Sequence, residues 1–324
     1  MKKIDTVVEI KQLMDMLLIR EAELKIAAEF RKKTFQTPIH LTIGQEAIPV
    51  GVAQNLQKTD AVFGNHRSHG HYLALGGSLE KLFSEILGKA SGCSSGKGGS
   101  MHIKSPENGL IGTMPIVAST IPIAVGAALS LKRNSSSSIA VAFFGDGATE
   151  EGVFHESLNL AKMLNVPVLF ICENNQFSSH LHISERQSSS SVSRFAIAND
   201  IIHKSVDGNS VFEVQRASYD LIEIARKRRE PVFLEAHTYR LYGHVGGEID
   251  HSIGLNRESE LKVWSQRDPI SKHREQILIN GQASEIELDD IHQLIEKKVD
   301  DSWSFALNEA YPKDDSLLRG VYFE

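Results

Sequence analysis

Residues 138–175 read SIAVAFFGDGATEEGVFHESLNLAKMLNVPVLFICENN. The apolar run 138–144 opens onto Gly145, which is typical of a buried parallel strand that ends in a loop. From 150 to 164 apolar residues recur at close to helical spacing, and a second apolar run covers 167–172. The stretch therefore predicts a strand, a helix and a second strand in an α/β fold with a largely parallel central sheet flanked by helices.

Two polar side chains follow these predicted strands. Asp146 comes directly after the first strand, and Asn175 ends the second. Loops at the carboxyl ends of parallel strands form the ligand crevice of such sheets, so these side chains should meet there. Magnesium prefers hard oxygen ligands, and a backbone carbonyl near Phe177 would complete a set with a diphosphate. Gly145 and Gly147 would let the backbone approach that phosphate closely.

The spacing of this segment resembles a known signature. Gly145-Asp146-Gly147, then 26 residues (148–173), then Asn174-Asn175 is similar to the thiamine diphosphate motif. The whole stretch resembles the alpha subunit of the decarboxylating component of 2-oxoacid dehydrogenase complexes, the group with pyruvate, branched-chain 2-oxoacid and acetoin dehydrogenases. The resemblance runs from about residue 41 to 270, with GKGGSMH at 96–102 and IPIAVG at 121–126 in the family's order. It implies the thiamine diphosphate-binding fold, with thiamine diphosphate and Mg²⁺ as cofactors.

The resemblance also implies roles for single residues. Arg67 falls where the family has an arginine that contacts the diphosphate. His244, in the TYRLYGH segment 238–244, is the catalytic candidate beside the cofactor. The implied metal ligands are Asp146, Asn175 and the carbonyl of Phe177. The implied cofactor contacts are Arg67, Ile116, Val117, Gly145, Asp146, Gly147, Ala148, Asn175 and His244.

The chain departs from the family pattern at several positions. His66 stands where relatives often have Tyr, which is more like the acetoin dehydrogenase branch, and Pro115 stands where Gly is usual. No serine directly follows His244, so the phosphorylation switch of mitochondrial relatives is expected to be missing. A family arginine falls at Asn256 or Arg257, with the register open. The glycine-rich segment 92–100 lacks the spacing of a nucleotide P-loop.

The implied function is cleavage or decarboxylation of a pyruvate-like 2-oxoacid or acetoin. The acyl group would pass to the lipoyl domain of an acyltransferase component. A separate beta subunit would supply the other half of the active site in an α2β2 assembly, so the chain alone should be inactive. One alternative is a nicotinamide-dependent oxidoreductase, which needs GxGxxG after a strand, and the sequence shows none. The other is a non-catalytic protein that keeps the fold, against which Asp146, Asn175, Arg67 and His244 together argue.

Composition narrows the class of protein. The 324 residues carry a net charge of −6 without a basic stripe, which excludes nucleic acid as an expected partner. Two isolated cysteines favour a reducing compartment and a cytoplasmic location. No apolar run reaches the ~20 residues that span a membrane.

The predicted organisation has three parts. An N-terminal helical extension covers 1–40, the thiamine diphosphate-binding α/β domain 41–270, and a C-terminal helical extension 271–324. The first extension contains an amphipathic helix over 7–31, and a Ser-rich stretch at 188–193 is expected to be a surface loop. The apolar positions expected to pack from the two extensions are Ile10, Leu13, Met14, Leu17, Leu18, Ile286, Leu288, Ile291, Leu294 and Ile295.

Overall fold

The computed structural model describes residues 2–250, 257–316, 318 and 319, with side chains from residue 8 onward. Its helices are α1 (Lys2–Arg31), α2 (Ala47–Ala53), α3 (His69–Ala74), α4 (Leu79–Ile86), α5 (Thr120–Arg133), α6 (Gly152–Leu164), α7 (Ile183–Arg186), α8 (Ser193–Ala198), α9 (Val211–Arg228), α10 (Glu258–Ser265), α11 (Pro269–Ile279) and α12 (Glu285–Asn308). Its strands are β1 (Ala61–Gly64), β2 (Leu110–Thr113), β3 (Ala140–Gly145), β4 (Val168–Asn174), β5 (Phe177–Ser178), β6 (Leu181–His182), β7 (Ile202–Asp207) and β8 (Val232–His237).

The central sheet of the described residues has the strand order β2-β1-β3-β4-β8-β7, and every pairing in it is parallel. All residues of β4 are buried, as expected of a strand covered on both faces. The predicted strand, helix and strand are β3, α6 and β4, so the predicted α/β fold is confirmed. The chain order reverses between β1 and β3, and this is the point at which open α/β sheets bind ligands.

The terminal helices pack on each other and on helices α2, α3 and α4. Helices α1 and α12 are in contact, and Leu13 and Leu17 of α1 belong to the same buried cluster as Leu288 and Ile295 of α12. Three of the apolar positions expected to pack are instead exposed: Met14, Ile286 and Leu294. These residues lie on the solvent side because the buried stripe of each helix is narrower than the apolar stripe predicted from the sequence. The division at 40 and 270 stays a prediction.

The Ser-rich stretch is exposed at 188–190, as expected of a surface loop, but its end is bonded to the central sheet. The carboxylate of Glu235, buried in β8, accepts hydrogen bonds from the backbone N–H of Val192 at 3.0 Å and of Ser193 at 2.9 Å. The hydroxyls of Ser191 and Ser193 also donate to it, at 2.9 and 2.6 Å. The end of the stretch is therefore tied to the central sheet.

Among the helices of the described residues, none combines the length and apolar character needed to cross a membrane. Cys93 and Cys172 are both free thiols, and Cys172 is buried in β4. Burial raises the pKa of the Cys172 thiol well above its ordinary value.

Candidate cofactor site

A cleft opens at the carboxyl ends of the central strands, beside the reversal point of the sheet. Strand β1 leads into Arg67, β3 into Asp146, β4 into Asn175, and β8 into the segment that carries His244. The predicted site residues that line the cleft are Arg67, Ile116, Val117, Gly145, Gly147, Ala148, Asn175, Phe177 and His244. Since they come from distant parts of the chain, the fold brings together almost the whole predicted set.

Asp146 lies behind the wall of the cleft and is fully buried. Its Oδ2 pairs with the guanidinium of Arg186, which also contacts Glu150. Its Oδ1 has no hydrogen-bond partner among the described residues. Burial raises the pKa of this carboxyl, and Arg186 offsets the rise only in part. A buried carboxylate oxygen without a donor fits a position for a hard cation.

Asn175 is oriented by two hydrogen bonds. Its Oδ1 accepts from the backbone N–H of Phe177 at 3.1 Å, and its Nδ2 donates to Gln45 Oε1 at 3.0 Å. An amide oxygen has two acceptor positions, so Oδ1 keeps one for a further partner. The three residues expected to bind metal stand at the ends of β3 and β4 and in β5.

The two glycines of the GDG turn differ in how much space a side chain would have at each position. A Cβ on Gly147 would lie 2.6 Å from Ser178 Oγ, whereas a Cβ on Gly145 would meet only Glu173 O at 4.0 Å. Neither residue is in the positive-φ region. The turn therefore needs Gly147 for close approach to β5, not for a conformation that other residues avoid.

Ile116 and Val117 form the outer wall of the cleft, with 68% and 48% of their surface exposed. Pro115, one of the departures from the family pattern, also lines the cleft. Ala118 follows them with φ +63°, a left-handed conformation that is costly for a residue with a Cβ. This backbone strain lies at the cleft itself, where strained conformations are often functional.

Arg67 and His244 are in direct contact. Arg67 Nη2 lies 3.1 Å from His244 Nδ1 and donates to the His244 carbonyl at 2.9 Å, while Nη1 donates to Leu41 O at 2.9 Å. A guanidinium can only donate, so Nδ1 must be an acceptor. Burial, with Arg67 and Arg240 nearby, lowers the pKa of His244 to about 3. The imidazole is therefore neutral near pH 7 and carries its proton on Nε2.

His244 belongs to a group of three imidazoles that line the cleft. The ring centroid of His40 lies 5.1 Å from that of His244 and 4.8 Å from that of His66. Burial, then the charge of Arg67, lowers the pKa of His40 to about 3, and the pKa of His66 is also well below its ordinary value. The three rings thus form a neutral wall of donors and acceptors beside a buried cation.

The imidazole wall predicts a pH dependence of stability. A histidine whose pKa is lower in the folded than in the unfolded state destabilises the fold as pH falls from its unfolded value near 6.5 towards about 3. We expect the urea midpoint to fall between pH 7 and pH 5, and to fall less in His40→Gln, which lacks one titrating ring. An equal decrease in both proteins would contradict the assignment of His40.

A buried ion cluster fixes the loop that carries His244. Asp250 Oδ2 lies 3.0 Å from Arg240 Nη2 and 2.8 Å from Arg257 Nη2, and Asp250 Oδ1 accepts from the backbone N–H of His244 at 3.2 Å. A Cβ on Gly243 would lie 2.7 Å from Asp250 Oδ1, so the loop closes tightly. The family arginine was expected at position 256 or 257, and the Arg257 side chain is part of this ion cluster. The other position, Asn256, lies outside the described residues.

Sequence reasoning missed several residues of the cleft. Those with polar or sulfur-containing side chains are His40, Gln45, Asn65, Met101, Met114, Thr120, Glu173, Ser178 and Ser179. His40 and Gln45 stand in the segment PIHLTIGQEAIP at 38–49, where polar residues alternate with apolar ones. These polar positions were the available signal for the two residues.

The parallel sheet and the cleft at its reversal point agree with the thiamine diphosphate-binding α/β fold that the sequence predicts. Residues 14–314 match the family described as the dehydrogenase E1 component. The chain belongs to the dehydrogenase E1 component family, as an alpha-subunit type of thiamine diphosphate-dependent dehydrogenase. This assignment confirms the resemblance and excludes the nicotinamide-dependent alternative.

Named relatives agree with the family. The alpha subunit of acetoin:2,6-dichlorophenolindophenol oxidoreductase from Bacillus subtilis (strain 168) is 36% identical over 307 residues, covering 95% of this chain and 91% of the relative. The pyruvate dehydrogenase E1 component subunit alpha of Porphyra purpurea is 35% identical over 315 residues, with 95% and 91% covered. Its counterpart in Rickettsia bellii (strain RML369-C) is 32% identical over 322 residues, with 97% and 95% covered.

Proposed function

We propose that this chain is the alpha subunit of a thiamine diphosphate- and Mg²⁺-dependent dehydrogenase that acts on acetoin or a pyruvate-like 2-oxoacid. The observation that carries the proposal is the convergence of Arg67, Asn175 and His244 on one cleft at the reversal point of a parallel sheet, with the buried Asp146 at the end of the adjacent strand β3. The buried Asp146 Oδ1 without a donor supports a cation at that point.

Each residue has a chemical role in the proposal. When bound, thiamine diphosphate supplies the thiazolium carbon that attacks the substrate carbonyl. Asp146, Asn175 and the carbonyl of Phe177 would hold Mg²⁺, and Arg67 would place positive charge beside the diphosphate. Gly145, Gly147 and Ala148 line the cleft where the backbone can approach the diphosphate. His244, neutral and protonated on Nε2, would orient the reacting group by donating a hydrogen bond.

The cleft supports a small carbonyl substrate. The wall formed by His40, His66 and His244 offers hydrogen bonds to a carbonyl or hydroxyl oxygen, while bulky aliphatic side chains would leave these polar groups without partners. The relatives named above are an acetoin oxidoreductase and pyruvate dehydrogenases, and acetoin and pyruvate are both small carbonyl compounds. We therefore favour acetoin or pyruvate over branched-chain 2-oxoacids.

The surface around the cleft supports a partner subunit. Exposed apolar side chains lie at its mouth and on the neighbouring helices α5 and α6, which pack on each other: Ile116, Val117, Ile123, Leu160 and Met163. Apolar surface of this kind usually marks a protein interface. We propose that a beta subunit covers it in an α2β2 assembly, and that the acyl group then passes to a lipoyl-bearing acyltransferase component. The cytoplasmic location stays a prediction from cysteine usage.

Dye reduction by the chain co-purified with its beta partner tests the proposal. With thiamine diphosphate and Mg²⁺ present, acetoin, pyruvate and a branched-chain 2-oxoacid are compared side by side. We expect turnover with acetoin or pyruvate, at least about tenfold less with the branched acid, and none with the alpha chain alone. Turnover by the alpha chain alone would contradict the shared site, and preference for the branched acid would contradict the substrate class.

A further inference from the structure

The glycine-rich segment 92–101 is wrapped around a carboxylate of the protein itself. Glu85, at the end of α4, is fully buried. Its Oε2 accepts from the backbone N–H of Ser94 at 2.6 Å and of Gly96 at 2.9 Å. Its Oε1 accepts from the N–H of Gly98 at 2.6 Å and of Gly99 at 3.2 Å. The donors that such a loop could offer to a phosphate are therefore already occupied, in agreement with the absence of P-loop spacing.

The glycines of this loop serve the carboxylate. Gly96 and Gly99 have φ of +73° and +59°, conformations that glycine adopts without strain. A Cβ on Gly92 would lie 2.3 Å from Glu85 Oε2, and one on Gly98 would lie 2.1 Å from His102 O. The loop can therefore close around Glu85 only with glycine at these positions.

The exit of the loop reaches the cleft. Ser100 Oγ lies 2.8 Å from His69 Nε2, and His69 Nδ1 lies 3.1 Å from Glu23 Oε1, all three residues being fully buried. The next residue, Met101, lines the cleft, and its carbonyl accepts from Thr113 Oγ1 at 2.7 Å. Met101 thus directly follows a loop that donates four of its backbone N–H groups to the carboxylate of Glu85.

We propose that Glu85 is a positioning residue for the cofactor: its carboxylate fixes the glycine-rich loop, and the loop in turn seats the Met101 side chain in the cleft wall. Glu85 itself does not line the cleft, so it acts through the loop. The inference rests on the proposed function, since it assumes that the cleft binds thiamine diphosphate. The thioether of Met101 is polarisable and suited to contact with an aromatic ring of that cofactor.

The proposal is tested by measuring the affinity of the apo αβ complex for thiamine diphosphate by calorimetry in the presence of Mg²⁺. Glu85→Gln keeps the volume but points an NH₂ group at backbone donors, so we expect about tenfold weaker binding. Glu80→Gln, an exposed glutamate on the same helix, is the matched control and should bind as the wild type does. Equal affinity of Glu85→Gln and the wild type would overturn the proposal.

A double-mutant cycle separates positioning from a general loss of stability. If Glu85 acts through Met101, Met101→Ala should weaken binding of thiamine diphosphate. Glu85→Gln should then reduce the affinity of the Met101→Ala protein clearly less than it reduces the affinity of the wild type. Additive losses would overturn the proposal, because they would mean that the two residues act independently. If Glu85→Gln does not yield a folded complex, Glu85→Asp, which keeps the charge and shortens the reach, replaces it in the cycle. Failure of the wild type to bind thiamine diphosphate would instead contradict the proposed function.

Discussion

Asp146→Ala should reduce dye-linked turnover of the αβ complex by about 10³-fold or more, because it removes the proposed carboxylate ligand of Mg²⁺. The buried Oδ1 of Asp146 has no hydrogen-bond partner among the described residues, so its role in the fold alone is limited to the Arg186 pair. We also expect the stabilisation by thiamine diphosphate and Mg²⁺, measured as a rise in melting temperature, to disappear.

Glu150→Gln is the matched control for that substitution. Glu150 pairs with the same arginine, Arg186, but its side chain is partly exposed. Its loss should leave the cofactor-dependent rise in melting temperature in place. If both variants lost the rise to the same extent, the effect would come from Arg186 and not from a metal ligand.

Asp250→Ala should lower the free energy of unfolding by about 3–5 kcal/mol, the usual effect of removing one member of a buried charge cluster. Arg240 and Arg257, both buried, would lose their shared carboxylate, and the His244 N–H would lose its acceptor. We expect a lower melting temperature and faster proteolysis within 243–250. Turnover should fall as well, because His244 would no longer be held against Arg67.

Glu248→Gln provides the comparison within the same loop. The Glu248 side chain is exposed, and its ion pair to Arg31 Nε is long at 3.8 Å. Its charge should therefore contribute little to stability. Its melting temperature and proteolysis should match those of the wild type. A wild-type melting temperature in Asp250→Ala would show that other contacts, such as the Gly246 N–H to Ile39 O bond, suffice to hold the loop.

Much of the site was predictable because its signals are local. The polar residues that follow apolar strands, Asp146 and Asn175, are adjacent in sequence to the elements that position them. Their meeting at one edge follows from parallel pairing alone. Their roles, and those of Arg67 and His244, remain predictions that the variants above test.

Other features depend on which surfaces pack together. Arg186 pairs with Asp146, which stands 40 residues before it in the chain. The ring of His40 lies against the ring of His244. Glu85 occupies the glycine-rich loop, which the residue pattern alone did not indicate. On α1, packing buries Met16 and leaves Met14 exposed, a choice that composition does not make.

The sequence by itself thus determined the α/β class, the strand-helix-strand unit and the identity of the residues at its ends, because hydrophobic period and chain-local order encode them. The tertiary structure decided the protonation of the imidazole wall, the pairing of buried charges and the shape of the cleft. These properties depend on burial and on distances between segments far apart in the chain, which are set only when the elements pack.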